Sequence, residues 1–236
     1  MAGMIYFNNI ALESVVPEVR VMDVRVSPIS LNAVARQRGT LAGADFVRII
    51  PRSRTVEVSF ALIDDQWQTR QDALLAVNAW AASEAPGKLQ LPGHDGRYLE
   101  AICTQLPEPS LRQWWESKLR VVFTTMGNPF WTSEAVRTAA CGTAFYVSGS
   151  AAPLMQITRT LTAQATNQSY SDGTNTMTFS AIPAGDMVID LNRQTAAVGG
   201  ASIMDAYSFG STFIKPKMGS MTITGTGTVR WRERWM

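Results

Sequence analysis

Histidine and cysteine are scarce in this chain, and their scarcity limits the chemistry that it can perform. The 236 residues include one histidine, His94, and two cysteines, Cys103 and Cys141. A zinc site needs several Cys or His ligands, so the chain cannot supply a usual set. A Ser–His–Asp or Cys–His site would have to be built on His94, whose run Pro-Gly-His-Asp-Gly is typical of a tight turn. The sequence therefore predicts that His94 and Asp95 are turn residues facing solvent.

Adjacent acids and glycine-rich runs also lack the surroundings of an active site. Asp64 and Asp65 are explained as acids at the start of a predicted helix. The run Gly225-Thr226-Gly227 has no following helix or lysine, so it does not support a phosphate site. Scattered carboxylates leave a glycosidase pair open, but nothing selects one. We expect no catalytic residue, no cofactor and no metal, and hence no enzyme.

Charge and long apolar runs are limited as well. Charged residues make up 17% of the chain and the net charge is +2, which argues against a strongly basic nucleic-acid binder. No apolar run is long enough to cross a bilayer, and the first residues lack the charged region of a signal peptide. The two cysteines have no metal-like spacing and are expected to be reduced and buried. We expect a soluble protein made in a cytoplasm, without membrane insertion.

One continuous block of architecture stands out at residues 54–102. Residues 54–62 alternate apolar and polar side chains as a half-buried strand does. A helix is predicted over residues 65–83, followed by strands at 88–91 and 97–104 with the His94 turn between them. An earlier strand at 18–27 changes parity near Met22-Asp23, which indicates a bulge. The predicted buried stripe of the helix consists of Trp67, Ala73, Leu74, Val77, Trp80 and Ala81.

The segment before this block has neither the periodicity of a core nor the charge of a disordered tail. Long connections of this kind inside a compact domain are uncommon and usually functional. We predict an arm or hairpin over about residues 28–52 that leaves the domain body; the alternative is an ordered loop folded on its own domain. Its arginines would pair with acids on a neighbouring subunit or keep an exposed segment soluble. The candidate subunit-interface residues are Arg36, Arg38, Arg48, Arg52 and Arg54.

Helix signals disappear after a boundary between residues 128 and 142. Short strands separated by glycine-rich turns then predict a β-sandwich or barrel. The chain is therefore predicted to be mainly β, with an α+β domain containing one helix at residues 1–135 and an all-β domain at 136–236. The predicted strands of the second domain are 154–161, 175–182, 186–191, 194–198, 220–224 and 228–235.

Aromatic and basic residues offer two candidate contact surfaces. In the last strand, alternation places Trp231 and Trp235 on one face and the arginines on the other. This pattern fits either a contact surface for a protein or sugar, or a sandwich strand with tryptophans in the core and arginines in water. Adjacent tryptophans cannot both face one core, so one of Trp114 and Trp115 is a candidate exposed anchor. The candidate partner-contact residues are Trp114, Trp115, Arg230, Arg232 and Arg234.

The order of these segments resembles the phage distal tail (Dit) proteins over nearly the whole chain. The first half resembles the family's N-terminal domain, and the second half resembles the strands of its galectin-like β-sandwich. The segments that carry the first resemblance are 38–41, 54–60, the helix ending at Trp80, 88–91, 96–101, 107–109, 119–123 and 128–131. Those that carry the second are 152–157, 187–191 and the closing Arg-Trp-Arg-Glu-Arg-Trp.

The resemblance implies a structural virion protein. Family members form a hexameric ring at the distal end of a long non-contractile tail, in the tail tip or baseplate hub, after assembly in the bacterial cytoplasm. The ring joins the tail tube protein to the tail-tip hub or fibre proteins, with the tape-measure protein as a further candidate partner. DNA passes through its lumen without sequence-specific binding. The segment at 28–52 would then be the arm or belt that clasps the adjacent subunit.

A carbohydrate-binding module that contributes to host adhesion is the alternative function. A galectin-like sandwich with tryptophan-rich segments suggests it, although likeness of fold is a poor warrant for sugar binding. The chain also departs from family members that bind receptors, because the second domain is compact and has no large inserted carbohydrate-binding module. No arm for docking a receptor protein is identifiable in the C-terminal half.

Overall fold

The computed structural model describes residues 4–37, 44–63, 67–107 and 119–236. The chain divides into two compact units, Met1–Trp131 (unit 1) and Thr132–Met236 (unit 2). Strands dominate both, so the predicted mainly-β class is confirmed. None of the described helices is long and apolar enough to cross a membrane.

Unit 1 is built from a sheet, a helix and a separate hairpin. The strands of its antiparallel sheet lie in the order β3-β6-β9-β8-β7-β1-β2, while β4 and β5 pair with each other. The elements are β1 (Tyr6–Phe7), β2 (Ile10–Ala11), α1 (Leu12–Val15), β3 (Val19–Val26), β4 (Leu31–Gln37), β5 (Ala44–Pro51), β6 (Thr55–Leu62), α2 (Trp67–Ala81), β7 (Gly87–Gln90), β8 (Arg97–Gln105) and β9 (Leu119–Thr125). The next strand, β10 (Trp131–Ser133), lies at the boundary between the units.

Helix α2 covers the sheet with the stripe that the sequence predicts. Ala73, Leu74, Val77, Trp80 and Ala81 are all buried, and Trp67 is the first residue of the helix. The rings of Phe7, Trp80 and Phe123 lie with centroids 5.1 to 6.0 Å apart, so the helix packs on β1 and β9. Burial of these aromatic rings contributes to the apolar stabilisation of unit 1.

Two local features refine the prediction for unit 1. The register between β3 and β6 shifts between Val21 and Asp23, which confirms the predicted bulge. The second helix, α1, was absent from the prediction, because its four residues are too few to show a helical period. Its Leu12 is fully buried. The carbonyl oxygen of Ile10, just before the helix, accepts a hydrogen bond from the indole N–H of Trp80 at 2.9 Å.

Unit 2 is dominated by strands, which form three antiparallel sheets. The largest antiparallel sheet has the order β18-β17-β16-β13-β20-β11, and β12 pairs with β19 and β14 with β15. The elements are β11 (Arg137–Ala140), β12 (Ala144–Val147), β13 (Ala151–Leu161), β14 (Ala165–Ser171), β15 (Thr176–Ile182), β16 (Gly185–Asp190), β17 (Thr195–Val198), β18 (Ala201–Ser202), the short 3-10 helix η1 (Met204–Ala206), β19 (Gly219–Thr222) and β20 (Thr228–Trp235).

A single core fills unit 2 between the large sheet and the two smaller ladders. Inward residues of the large sheet, including Ile157, Ile189 and Trp231, belong to one buried cluster with Tyr170 and Phe179 from the opposite side. Side chains from facing sheets that interdigitate in this way make the core of a sandwich. The all-β sandwich predicted for the second half is thus the fold of unit 2.

Candidate interaction surfaces

The predicted arm contains a β-hairpin. Strands β4 and β5 pair antiparallel from Leu31 opposite Pro51 to Gln37 opposite Ala44, with one extra residue, Val47, at a bulge. Within the described residues this pair belongs to no larger sheet. A two-stranded hairpin without further packing is marginally stable at best in water. The hairpin therefore needs a surface to pack against.

Hydrogen bonds close the base of the hairpin and attach it to unit 1. The Arg52 N–H donates to the Ser30 carbonyl oxygen at 2.8 Å. The Ser27 N–H donates to the Thr55 carbonyl oxygen at 2.9 Å, and the Thr55 N–H returns a bond to Ser27 Oγ at 2.8 Å. Because both chain segments meet here, the hairpin leaves the sheet from a closed, hydrogen-bonded base.

The five arginines predicted for the subunit interface are distributed over different environments. In the hairpin ladder, Arg36 lies opposite Asp45 and Arg48 lies opposite Val34. Arg52 is exposed at the hairpin base, while Arg38 lies outside the described residues. Their contacts with a second subunit stay a prediction.

Arg54 belongs to the interior of unit 1 and not to the arm, where the sequence predicts it. Only 5% of its surface is exposed. Its backbone N–H donates to Thr125 Oγ1 at 2.9 Å, and its carbonyl oxygen accepts from the Thr125 N–H at 2.9 Å, so β6 and β9 hold it in place. Burial lowers the pKa of its guanidinium, and its Nε has no hydrogen-bond partner within the described residues. The prediction of an exposed positive charge at this position is wrong.

Strand β20 alternates as predicted, with its tryptophan face turned inward. Val229, Trp231 and Glu233 are buried, and Arg230 on the other face is exposed. The ring of Trp231 stacks on Phe145 with centroids 4.6 Å apart. The interpretation as a sandwich strand is therefore the correct one for Trp231, whose ring is not available to a sugar.

Two of the three candidate arginines of β20 bind carbonyl oxygens inside unit 2. Arg232 Nη1 donates to the Ser133 carbonyl oxygen at 3.0 Å and also to that of Glu134. Arg234 Nε donates to the Ala152 carbonyl oxygen, and burial lowers the pKa of this guanidinium. These bonds engage donors of Arg232 and Arg234 within unit 2. Arg230 is the exposed member of the set.

Glu233 is a buried carboxylate that the sequence prediction leaves without a role. It accepts the Ser148 N–H at 3.1 Å and forms an ion pair with Arg137 Nε at 3.2 Å. Both contacts connect β20 to neighbouring segments of unit 2. The sequence did contain a signal for this buried ion pair, because Glu233 is a charged residue on the inward face of an otherwise apolar strand. Charged residues are seldom buried unless they are paired.

His94 is half-buried, whereas the sequence predicts a side chain facing solvent. Its ring stacks on Trp131 with centroids 3.9 Å apart and an interplanar angle of 16°, while Asp95 is exposed. The turn itself is confirmed, because the His94 N–H donates to the Leu91 carbonyl oxygen and the Arg97 N–H to that of His94. Burial, followed by the charges of Arg97 and Arg54, lowers the pKa of His94.

The remaining candidates are a pair of tryptophans and two thiols. Trp114 and Trp115 lie outside the described residues. Cys103 and Cys141 are free and half-buried, and burial raises the pKa of each thiol. Low thiolate content makes such thiols slow to react.

Phe209 is an exposed aromatic residue that the sequence prediction missed. Its side chain is fully exposed at the tip of a turn in which the Ser211 N–H donates to the Ser208 carbonyl oxygen. Ser208 and Thr212 also donate their N–H groups to the carbonyl oxygens of Thr178 and Thr176, so the turn is fixed to β15. The sequence signal was an aromatic residue next to a glycine in a serine-rich turn.

Comparison with solved structures finds the same fold in a phage protein. The Dit protein of phage SPP1, described as a paradigm of the hub adsorption apparatus in phages that infect Gram-positive bacteria, matches with a TM-score of 0.73 and 15% identity over 99% of each chain. A chain of the phage p2 baseplate in its activated conformation with strontium has a TM-score of 0.42 and 8% identity, covering 92% of this chain and 90% of that one.

Sequence comparison adds no relative, because neither a family model nor a curated protein matches the chain. The match to SPP1 Dit extends over both units and leaves almost no residue of either chain unmatched. The resemblance to distal tail proteins is thereby confirmed at the level of the fold: this chain has the fold of the SPP1 Dit protein.

Proposed function

We propose that this chain is a structural protein of a phage tail tip that forms a hexameric ring at the distal end of a non-contractile tail. The observation that carries the proposal is the match in fold to the SPP1 Dit protein over 99% of both chains. A match of this extent includes the hairpin-bearing unit and the sandwich together, whereas a shared sandwich alone would leave the function open.

In this proposal the ring connects the tail tube protein to the tail-tip hub or fibre proteins, with DNA passing through the lumen. The hairpin of each copy contacts the next copy, so the contact is heterologous and closes a ring when the rotation between copies is correct. The chain contributes assembly and no catalysis, in line with its single histidine, which is stacked on Trp131.

Electron microscopy of the purified full-length chain tests the proposal directly. We expect rings of six copies with a central opening. Addition of the tail tube protein should stack these rings on tube ends and leave the tube walls bare. Fields of single particles without rings, both alone and with tube protein, would refute the proposal.

A further inference from the structure

An open cavity of about 460 Å³ lies at the turn that joins β7 to β8. Its walls consist of Met4, Tyr6 and residues 90–97. The ionisable side chains among these are Tyr6, His94, Asp95 and Arg97. All of them belong to unit 1, so the cavity is a feature of one compact unit.

The ring of His94 is held in place while its two nitrogens remain unused. One face of the ring stacks on Trp131, with centroids 3.9 Å apart. Within the described residues, neither Nδ1 nor Nε2 takes part in a hydrogen bond. The side chain is half-buried, so it also keeps an accessible part. Trp131 therefore fixes the plane of a ring whose polar atoms are available to a ligand.

Arg54 supplies a buried positive charge beside His94. Its surface is 5% exposed, and its Nε has no hydrogen-bond partner within the described residues. Burial lowers the pKa of its guanidinium, and no carboxylate of the described residues acts to raise it. Burying a charge is costly unless the charge is paired. Arg54 thus lacks the anionic partner that a buried guanidinium needs.

Positive charge outweighs negative charge around His94. Burial, then the charges of Arg97 and Arg54, lower the pKa of His94, and the Asp95 carboxylate alone opposes them. Two guanidinium groups and one carboxylate leave an excess of one positive charge, which protonation of His94 would double. Because Arg54 is buried, water and salt screen its charge less than they screen an exposed one.

The cavity also presents donors that suit an oxyanion. The Tyr6 hydroxyl donates to the sulfur of Met4 at 3.4 Å, and a thioether is a weak acceptor. An anionic oxygen would replace this contact with a stronger hydrogen bond. The planar guanidinium of Arg97 has the fork of donors that matches two oxygens of a phosphate.

We propose that this cavity binds a phosphate group that carries two negative charges, with Tyr6, His94 and Arg97 as hydrogen-bond donors and buried Arg54 as the charge that attracts it. The site lies within one chain and does not depend on ring formation. A bound anion stabilises the imidazolium form of His94, because opposite charges close together favour each other. Affinity for an anion of constant charge therefore rises as the pH falls.

Sulfate is the probe for this coupling, because it keeps both charges between pH 5.5 and pH 7.5, where phosphate loses one. Isothermal titration calorimetry of the full chain, at an ionic strength held constant with sodium chloride, should show one sulfate per chain. Binding should be about tenfold tighter at pH 5.5 than at pH 7.5. The variant His94→Gln should bind weakly and equally at both values. Absence of binding, or an equal pH dependence in the variant, would overturn the proposal.

Two neighbouring arginines provide a matched pair for the buried charge. Arg54→Met removes the buried guanidinium, whereas Arg52→Met removes an exposed one two residues earlier. At pH 5.5, Arg54→Met should bind sulfate about tenfold or more weakly, which is the loss of one charge-assisted interaction. Arg52→Met should bind it like the original chain. Equal weakening in both variants would reduce the effect to general surface charge and refute the site.

A second variant keeps the test decisive if Arg54→Met does not fold. Arg97→Gln changes a half-buried residue of the cavity wall and should also weaken sulfate binding about tenfold. Thermal unfolding without sulfate checks the fold of each variant. If folded Arg97→Gln binds sulfate as tightly as the original chain, the cavity is not the binding site.

Competition with sulfate at pH 7.5 identifies the form of the ligand. Inorganic phosphate and methyl phosphate, which are both mainly doubly charged there, should displace sulfate. The singly charged dimethyl phosphate should displace it about tenfold less well. Displacement by inorganic phosphate alone would assign the site to the free ion, and displacement by methyl phosphate as well to a phosphate group on a larger molecule. Equal displacement by chloride would overturn the proposal and leave the proposed ring standing.

Discussion

His94 connects the turn between β7 and β8 to Trp131, and this contact makes the stability of the chain depend on pH. Because burial and the nearby arginines lower the pKa of His94 in the folded chain, protonation is disfavoured there relative to the unfolded chain. Between the folded pKa and the ordinary value of 6.5, the unfolded chain binds more protons. The free energy of unfolding therefore falls as the pH drops below that ordinary value.

We predict that the melting temperature of the full chain decreases between pH 7.5 and pH 5.5, since His94 is the one histidine that titrates in this range. The variant His94→Gln removes this group and should show a clearly smaller decrease over the same interval. Thermal unfolding of both proteins at the two pH values measures the difference. An equal decrease in the variant would show that His94 is not its origin.

In strand β20, adjacent residues lie on opposite faces, one buried in the core of unit 2 and the other exposed to solvent. Trp231 is 5% exposed and stacks on Phe145, whereas Arg230 is exposed. Substituting a buried aromatic residue by alanine removes transfer free energy and leaves a cavity. Substituting an exposed residue away from such features changes stability by about 0.5 kcal/mol or less.

We therefore predict that Trp231→Ala lowers the free energy of unfolding by about 3–5 kcal/mol, while Arg230→Ala leaves it nearly unchanged. Denaturant unfolding of the two variants beside the original chain measures both effects. If Trp231→Ala were neutral, the ring would not be part of the core, and the carbohydrate-binding alternative for this strand would regain support.

Strands and helices with a strong hydrophobic period were predictable from the sequence, whereas short polar elements were not. The alternation of residues 54–62 and the helical stripe ending at Trp80 and Ala81 define β6 and α2, because one face of each is buried on the sheet. Strand β14 was missed, since Tyr170 is the only buried residue in its sequence Ala-Thr-Asn-Gln-Ser-Tyr-Ser. Its position depends on pairing with β15, which no local pattern reveals.

The candidate surfaces were predictable only in part, for a related reason. Low periodicity and length indicated an arm at 28–52, and the structure contains a hairpin there. The arginines were predicted as subunit-interface residues because charge can be read directly from a sequence. The burial of Arg54 depends on contacts with β9, about seventy residues later in the chain, which no local pattern reveals.

At the scale of the whole molecule, we expect the hairpin to be necessary for assembly and dispensable for folding. The Arg52 N–H and the Ser30 carbonyl oxygen are 2.8 Å apart, so the two ends of the hairpin already meet. Replacing residues 31–51 with Asn-Gly, which favours a two-residue turn between antiparallel segments, should close the chain without strain. The sheet of unit 1 and the core of unit 2 contain none of the removed residues.

The most direct measurement is the mass of the intact chain and of this hairpin-deleted chain by sedimentation, over the same concentration range. We predict that the intact chain reaches six times the 25.8 kDa of one copy, and that the hairpin-deleted chain sediments as a folded monomer. An intact chain that stays monomeric even with tail tube protein present, or a hairpin-deleted chain that forms the same oligomer, would contradict the account.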